Sequence, residues 1–211
     1  MSMPLFEARN LSCERDDRRL FTDVSFQLGA GDVLQIAGHN GVGKTTLLRG
    51  VCGLNGDIQG QFDWYGSLWP QCRYSFAQRT LFLGHSPGIK AVLSPRENLR
   101  WYFDLRYAIS AQAIDAALDK AGLYGYEDSP SYQLSAGQQR RIAIARLYAS
   151  KADVWVLDEP FTAIDKTGVS LLEQSINDFA NGGGAVMLTS HHALNGVDGL
   201  RVLNLEQYAH E

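Results

Sequence analysis

A short apolar run, Val33 to Ala37, stops at Gly38-His39-Asn40-Gly41-Val42-Gly43-Lys44-Thr45, and a helix-compatible segment, Thr45 to Cys52, follows at once. The spacing GxxxxGK[ST] between a strand and a helix is that of a phosphate-binding loop. Glycine lets the backbone curl until successive N–H groups face one anion, and the helix start adds the positive end of its dipole. Lys44 is placed to reach the β- and γ-phosphates, the Thr45 hydroxyl to ligate Mg²⁺, and Thr46 to add a donor. Such a loop belongs at the carboxyl end of a parallel strand, so the chain is expected to be an α/β protein that binds a nucleoside triphosphate.

The rest of the chain fits that expectation. Val154 to Leu157 and Ala185 to Thr189 are continuous apolar runs, as buried parallel strands are. Leu200 to Leu205 reads as a last strand. Phe6 to Cys13, Phe21 to Leu28 and Gln61 to Trp64 read as a small antiparallel layer, and Arg96 to Arg106, Ala111 to Lys120 and Ala136 to Tyr148 as helices of a helical middle. With 211 residues and 45% hydrophobic composition, a packed core is available. The formal net charge of −4 argues against gripping nucleic acid or acidic lipid by bulk charge. No apolar run is long enough to span a bilayer, and Cys13, Cys52 and Cys72 have neither metal-site nor disulfide-framework spacing, so they read as free thiols in a reducing compartment.

Two further segments carry chemistry. Val154-Trp-Val-Leu-Asp158-Glu159 is an apolar strand ending in adjacent carboxylates: Asp158 is placed for Mg²⁺, and Glu159 for deprotonating an attacking water. Neighbouring side chains on a strand point to opposite faces, so both reach one cleft only where the strand frays. Leu134-Ser135-Ala136-Gly137-Gln138 opens a helix with Ser135 as N-cap, which is either an ordinary capped helix or a second anion site.

Together these segments resemble the nucleotide-binding subunit of an ATP-binding-cassette (ABC) transporter. Gly38 to Thr45 resembles the Walker A loop, Leu134 to Gln138 the LSGGQ signature with alanine at its third position, and Leu157-Asp-Glu-Pro160 the Walker B segment. Ala163-Ile-Asp165 resembles the D-loop and Ser190-His191 the switch histidine. The motifs stand in the family's order across nearly the whole chain. The resemblance implies a P-loop NTPase fold of ABC type, with a mostly parallel sheet core, a small antiparallel β layer and a helical arm. Residues 1–211 would form one nucleotide-binding domain, with the core at about 1–84 and 151–211 and the arm at about 85–150. It further implies ATP and Mg²⁺ bound between two head-to-tail copies: Ser135, Gly137 and Gln138 of one copy would face the γ-phosphate held by the other. Asp165 would bridge the two sites, and His191 would hold the γ-phosphate end and the water.

The chain departs from the family at two places. Aligned back from Glu97-Asn-Leu99, His85 stands where the family has a glutamine that touches Mg²⁺ and the membrane subunit; it either positions water or metal, or is a structural loop histidine. Arg15 stands near the usual adenine-stacking aromatic, and a guanidinium plane can stack on a base; Phe21 is a second candidate. His39, His192 and His210 read as bystanders. Trp64, Trp69 and Trp155 read as packing, and Trp101, Tyr102 and Phe103 as either packing or a contact with a membrane subunit.

Gly84 to Lys90, Leu93 to Trp101 and Leu134 to Arg141 resemble one branch in particular, the ATP-binding subunits of bacterial haem exporters in cytochrome c maturation. That implies integral membrane permease partners, a peripheral place on the cytoplasmic face of the bacterial inner membrane, and cargo recognition by the partners, with no direct haem site in this chain. An ABC exporter subunit for another cargo, or a non-transport ABC ATPase, shares the same motifs.

Overall fold

The computed structural model describes residues 3–15 and 18–209. It divides into two compact units: Met1–Phe82, Ala152–Glu159 and Glu173–Glu211 form the first, and Leu83–Lys151 with Pro160–Leu172 the second.

The first unit holds two sheets. β1 (Phe6–Arg15), β2 (Arg18–Leu28), β4 (Ile58–Trp64) and β5 (Ser67–Leu68) form the antiparallel one, in the order β2-β1-β4-β5. β3 (Val33–Ala37), β6 (Thr80–Leu83), β7 (Val154–Asp158), β8 (Ala185–Thr189) and β9 (Leu200–Asn204) form the other, in the order β6-β7-β8-β3-β9, with β7, β8, β3 and β9 mutually parallel. Every residue of β7 and β8 is buried, which is why both read as unbroken apolar runs rather than alternating ones. Helix α1 (Lys44–Val51) follows β3 and touches strands of both sheets; its Leu47 and Leu48 sit in one core with Phe6, Phe21, Val156 and Met187. Trp64 and Trp155 are buried and Trp69 packs on the same core, so these three are packing residues; Trp155 stacks flat on Phe179 with ring centroids 3.9 Å apart.

The second unit packs α3 (Pro95–Asp104), α4 (Ala111–Lys120) and α5 (Ala136–Ala149) around Leu99, Phe103, Ile114, Leu118 and Ile142. Ser94, Ser110 and Ser135 each accept a backbone N–H from the first turn of these helices, the caps that their positions before apolar periodic segments call for. Trp101, Tyr102 and Phe103 part company here. Phe103 is a core residue, Tyr102 packs on that core, and Trp101 is 42% exposed with the Lys90 ammonium over its ring.

Among the elements that escaped the sequence reading are α2 (Arg73–Arg79), β6, and α6 (Lys166–Asn181). α2 and β6 are short and abut at Arg79 and Thr80, so neither repeats its period often enough to stand out. α6 opens on Lys-Thr-Gly-Val-Ser, which hides the spacing of its buried Leu172, Ile176 and Ala180. The last strand also ends at Asn204, because Leu205 already opens a 3₁₀ turn, Leu205–Tyr208.

Asn98 organises the approach to α3. Fully buried, it accepts from the Lys90 N–H at 2.7 Å, and its amide nitrogen faces the Lys90, Leu93 and Ser94 carbonyls at 3.0, 3.1 and 3.0 Å. Asn98→Ala strands these backbone groups in the interior. Urea unfolding should show it less stable than the parent by about 2–4 kcal/mol.

Candidate functional site

The turn from β3 into α1 is made by Gly43, the N-cap, with φ of 107°. A Cβ there would sit 3.1 Å from the Phe21 ring, so glycine is needed both for the dihedral and for the approach. Phe21 is itself wholly buried, which removes it as a base-stacking candidate. Helix α1 has no side-chain cap, unlike α3, α4 and α5, and its first turn carries no acid to meet the dipole. Its leading N–H groups and dipole are thus presented to whatever lies over the loop. The Lys44 ammonium folds back onto the same loop, 2.6 Å from the Gly38 carbonyl and 3.0 Å from that of His39. The His39 N–H donates to the Glu206 carboxylate at 2.6 Å, and its ring meets the neighbouring Asn40 carbonyl at 2.8 Å.

The acidic strand end meets this loop. Parallel pairing puts Asp158 of β7 opposite Thr189 of β8. Thr189 donates to the Asp158 carboxylate at 2.9 Å, and Thr45 donates to the same oxygen at 3.0 Å. Asp158 and Thr189 are 1% and 0% exposed. Two hard oxygen donors so close suit a magnesium ion, which completes its shell with phosphate oxygens and water rather than with an all-protein cage. Among the described residues, no three His, Cys, Asp or Glu side chains gather to hold a metal by themselves.

Glu159 lies just past the end of β7, with φ of +49°. This left-handed conformation costs a non-glycine residue about 1–3 kcal/mol and breaks the strand's alternation. That is how two adjacent carboxylates serve one cleft. The Glu159 N–H is fixed by the Thr189 hydroxyl at 2.9 Å, so one threonine orders both acids. The Glu159 carboxylate accepts from the His191 N–H at 3.1 Å and stands 3.5 Å from the His191 ring nitrogen, with the ring 60% exposed. Gln35 of β3 reaches across to the Ser190 carbonyl at 3.3 Å. His192 turns away toward Glu173.

The second unit carries the remaining candidates. Ser135 and Gln138 form a reciprocal capping box: the Ser135 hydroxyl accepts from the Gln138 N–H at 3.2 Å, and the Gln138 side chain accepts from the Ser135 N–H at 2.9 Å. The hydroxyl proton stays available to donate. Gly137 sits so close to the Ala163 carbonyl that a Cβ would lie 3.1 Å from it. Asp165 accepts from the Gly168 N–H at 3.1 Å and from Arg141 at 3.0 Å. Chiefly that N–H, and then the guanidinium, hold its carboxyl below the usual aspartate range. His85 is exposed, on a loop whose Gly84 and His85 carbonyls accept from the buried Arg140 at 2.8 and 3.2 Å. Arg15 is exposed at the end of β1, and His210 lies outside the described residues.

The geometry therefore brings Lys44, Thr45, Asp158, Glu159 and His191 together in the first unit. Sequence reasoning missed Thr189, whose only signal was a polar residue closing an apolar strand. Thr189→Val keeps the shape and removes the shared hydroxyl. Stability should fall by about 1–3 kcal/mol in denaturant titration. Steady-state kinetics should show nucleotide turnover falling roughly tenfold to a hundredfold, with KM changed less than kcat.

Comparison with known proteins follows the same lines. The family described as ABC transporter matches residues 21–162. The cytochrome c biogenesis ATP-binding export protein CcmA of Hahella chejuensis is 54% identical over 192 residues, covering 91% of this chain and 91% of that protein. The protein of the same description from Escherichia coli K12 is 51% identical over 193 residues, covering 92% of each. Among solved structures, a bacterial ABC transporter cassette determined as a dimer superposes with a TM-score of 0.82 at 20% identity, over 95% of this chain and 94% of that one.

Proposed function

Since the chain belongs to the ABC transporter family of ATP-binding proteins, we propose that it is the ATP-hydrolysing subunit of a membrane complex that exports or delivers haem for c-type cytochrome assembly. One observation carries the reading: chain-long relatives described as cytochrome c biogenesis export proteins share half of its residues. The uncapped start of α1, beside the hydroxyl of Thr45 on the buried Asp158 carboxylate, supports the chemistry.

In this reading residues 1–211 are one nucleotide-binding domain, core about 1–84 and 151–211, arm about 85–150. The backbone of Gly38 to Gly43 cradles the phosphates, Lys44 and Thr46 add donors, and Arg15 stacks on adenine. Thr45 and Asp158 would hold Mg²⁺, with His85 as a further candidate. When bound, the ion offsets charge on the β- and γ-phosphate oxygens. Glu159 accepts the proton of the water that attacks the γ-phosphorus, and His191 orients that water, while ADP leaves. A second copy completes the site: its Ser135, Gly137 and Gln138 donate to the γ-phosphate, and Asp165 bridges the two sites. Binding thus closes the dimer and hydrolysis reopens it. The His85 loop and the arm pass that motion to integral permease subunits. No helix among the described residues is long and apolar enough to cross a membrane, which fits a peripheral subunit on the cytoplasmic face of the bacterial inner membrane.

Glu159→Gln should keep nucleotide binding and lose about 10²–10⁴ of its ATP turnover, read by phosphate release. In a host lacking this gene, wild type should restore covalently attached haem in c-type cytochromes, whereas Lys44→Ala and Glu159→Gln at matched levels should not. A host that makes those cytochromes normally without the gene overturns the haem assignment and leaves the ATPase standing.

A further inference from the structure

The Gly38–His39 peptide has a charge at each end. Its carbonyl accepts from the Lys44 ammonium at 2.6 Å, and its N–H donates to the Glu206 carboxylate, also at 2.6 Å. The fold sets this up from two strands. β3 and β9 pair in parallel as far as Ala37 opposite Asn204, so the phosphate loop and the Leu205–Tyr208 turn leave the sheet side by side. The turn is anchored on both sides of the acid: Leu205 is fully buried, and the Asn204 side chain accepts from the Glu206 N–H at 3.1 Å. Gly38, with φ of 142°, admits the approach. A Cβ there would lie 2.8 Å from Val42 and 3.4 Å from the Glu206 side chain.

We propose that Glu206 is a positioning residue for Lys44, acting through the Gly38–His39 peptide. A hydrogen bond with an ionised partner at each end is stronger than a neutral one, and each polarises the peptide in the sense that strengthens the other. The acid thus fixes the tilt of the peptide whose oxygen seats the ammonium. Lys44 is held at the loop ready for the β- and γ-phosphates, rather than sampling solvent with the freedom of a long side chain. Glu206 acts through that peptide, so its effect belongs to nucleotide affinity. The inference rests on the ATP-binding reading above.

The test is a double-mutant cycle on the full-length protein, read as the Kd of fluorescent mant-ATP. Glu206→Ala should weaken binding about fivefold in the wild-type background, because only part of the worth of the lost bond is passed to the nucleotide through Lys44. In the Lys44→Ala background the same change should move Kd by less than about twofold, because the group it positions is gone. Glu206→Gln keeps an acceptor for the same N–H and loses the charge, so it should lie between wild type and Glu206→Ala, about twofold to threefold weaker than wild type. Equal losses in both backgrounds, an unchanged Kd for Glu206→Ala, or no rescue by glutamine each overturn the proposal. Failure of the wild-type protein to bind mant-ATP would instead strike the ATP-binding reading itself. Glu206 is exposed, so its replacements leave the core intact.

Discussion

One carboxylate oxygen, on Asp158, receives hydroxyls from two different elements: Thr45 at the start of α1 and Thr189 at the end of β8. Thr189 then holds the backbone of Glu159, and Glu159 holds the backbone of His191. A buried carboxylate is costly to strip of water unless its lone pairs are met, so Asp158 dictates polar partners at the end of the apolar strands β7 and β8. The register of β7 against β8 and the seat of α1 both answer to that demand. The site is therefore part of the fold's polar accounting, which explains how a strained Glu159 backbone is retained: its N–H and its carboxylate are each fixed by a neighbour.

Much of this was legible in the sequence, for identifiable reasons. The phosphate loop was readable because its glycines, lysine and threonine are contiguous and their conformational demands are local. Ser135 was readable as a helix start on the same ground, since a cap acts within one turn. What depended on pairing between distant segments was hidden. Thr189 gains its meaning only opposite Asp158, and Glu206 only because β9 ends beside β3. Phe21 shows the converse error: an aromatic at a plausible distance along the chain proved to be core, because β2 turns that face inward against Gly43.

Helix ends tell the same story in terms of unsatisfied groups. Three helices of the second unit close their first turns with serine, and α3 and α5 add a glutamate or glutamine to complete a capping box. α1 breaks the pattern. Its N-cap glycine offers no side-chain oxygen to the first turn. A helix start of this kind is destabilised in isolation, so its persistence beside Lys44 and the Thr45–Asp158 pair makes sense when an anion supplies the missing cap.

This also reconciles an acidic chain with an anionic ligand. The net charge of −4 spreads over the whole surface, where it is screened within about 10 Å at ordinary salt. The phosphate loop works at hydrogen-bond range instead, through oriented N–H groups, one ammonium and a helix dipole. Even the carboxylate nearest the loop is consistent with this. Glu206 reaches the outward N–H of the Gly38–His39 peptide, so its charge strengthens the carbonyl that seats Lys44. Binding of a polyanion is thus governed by where a few dipoles point, and the sign of the bulk charge has little say in it.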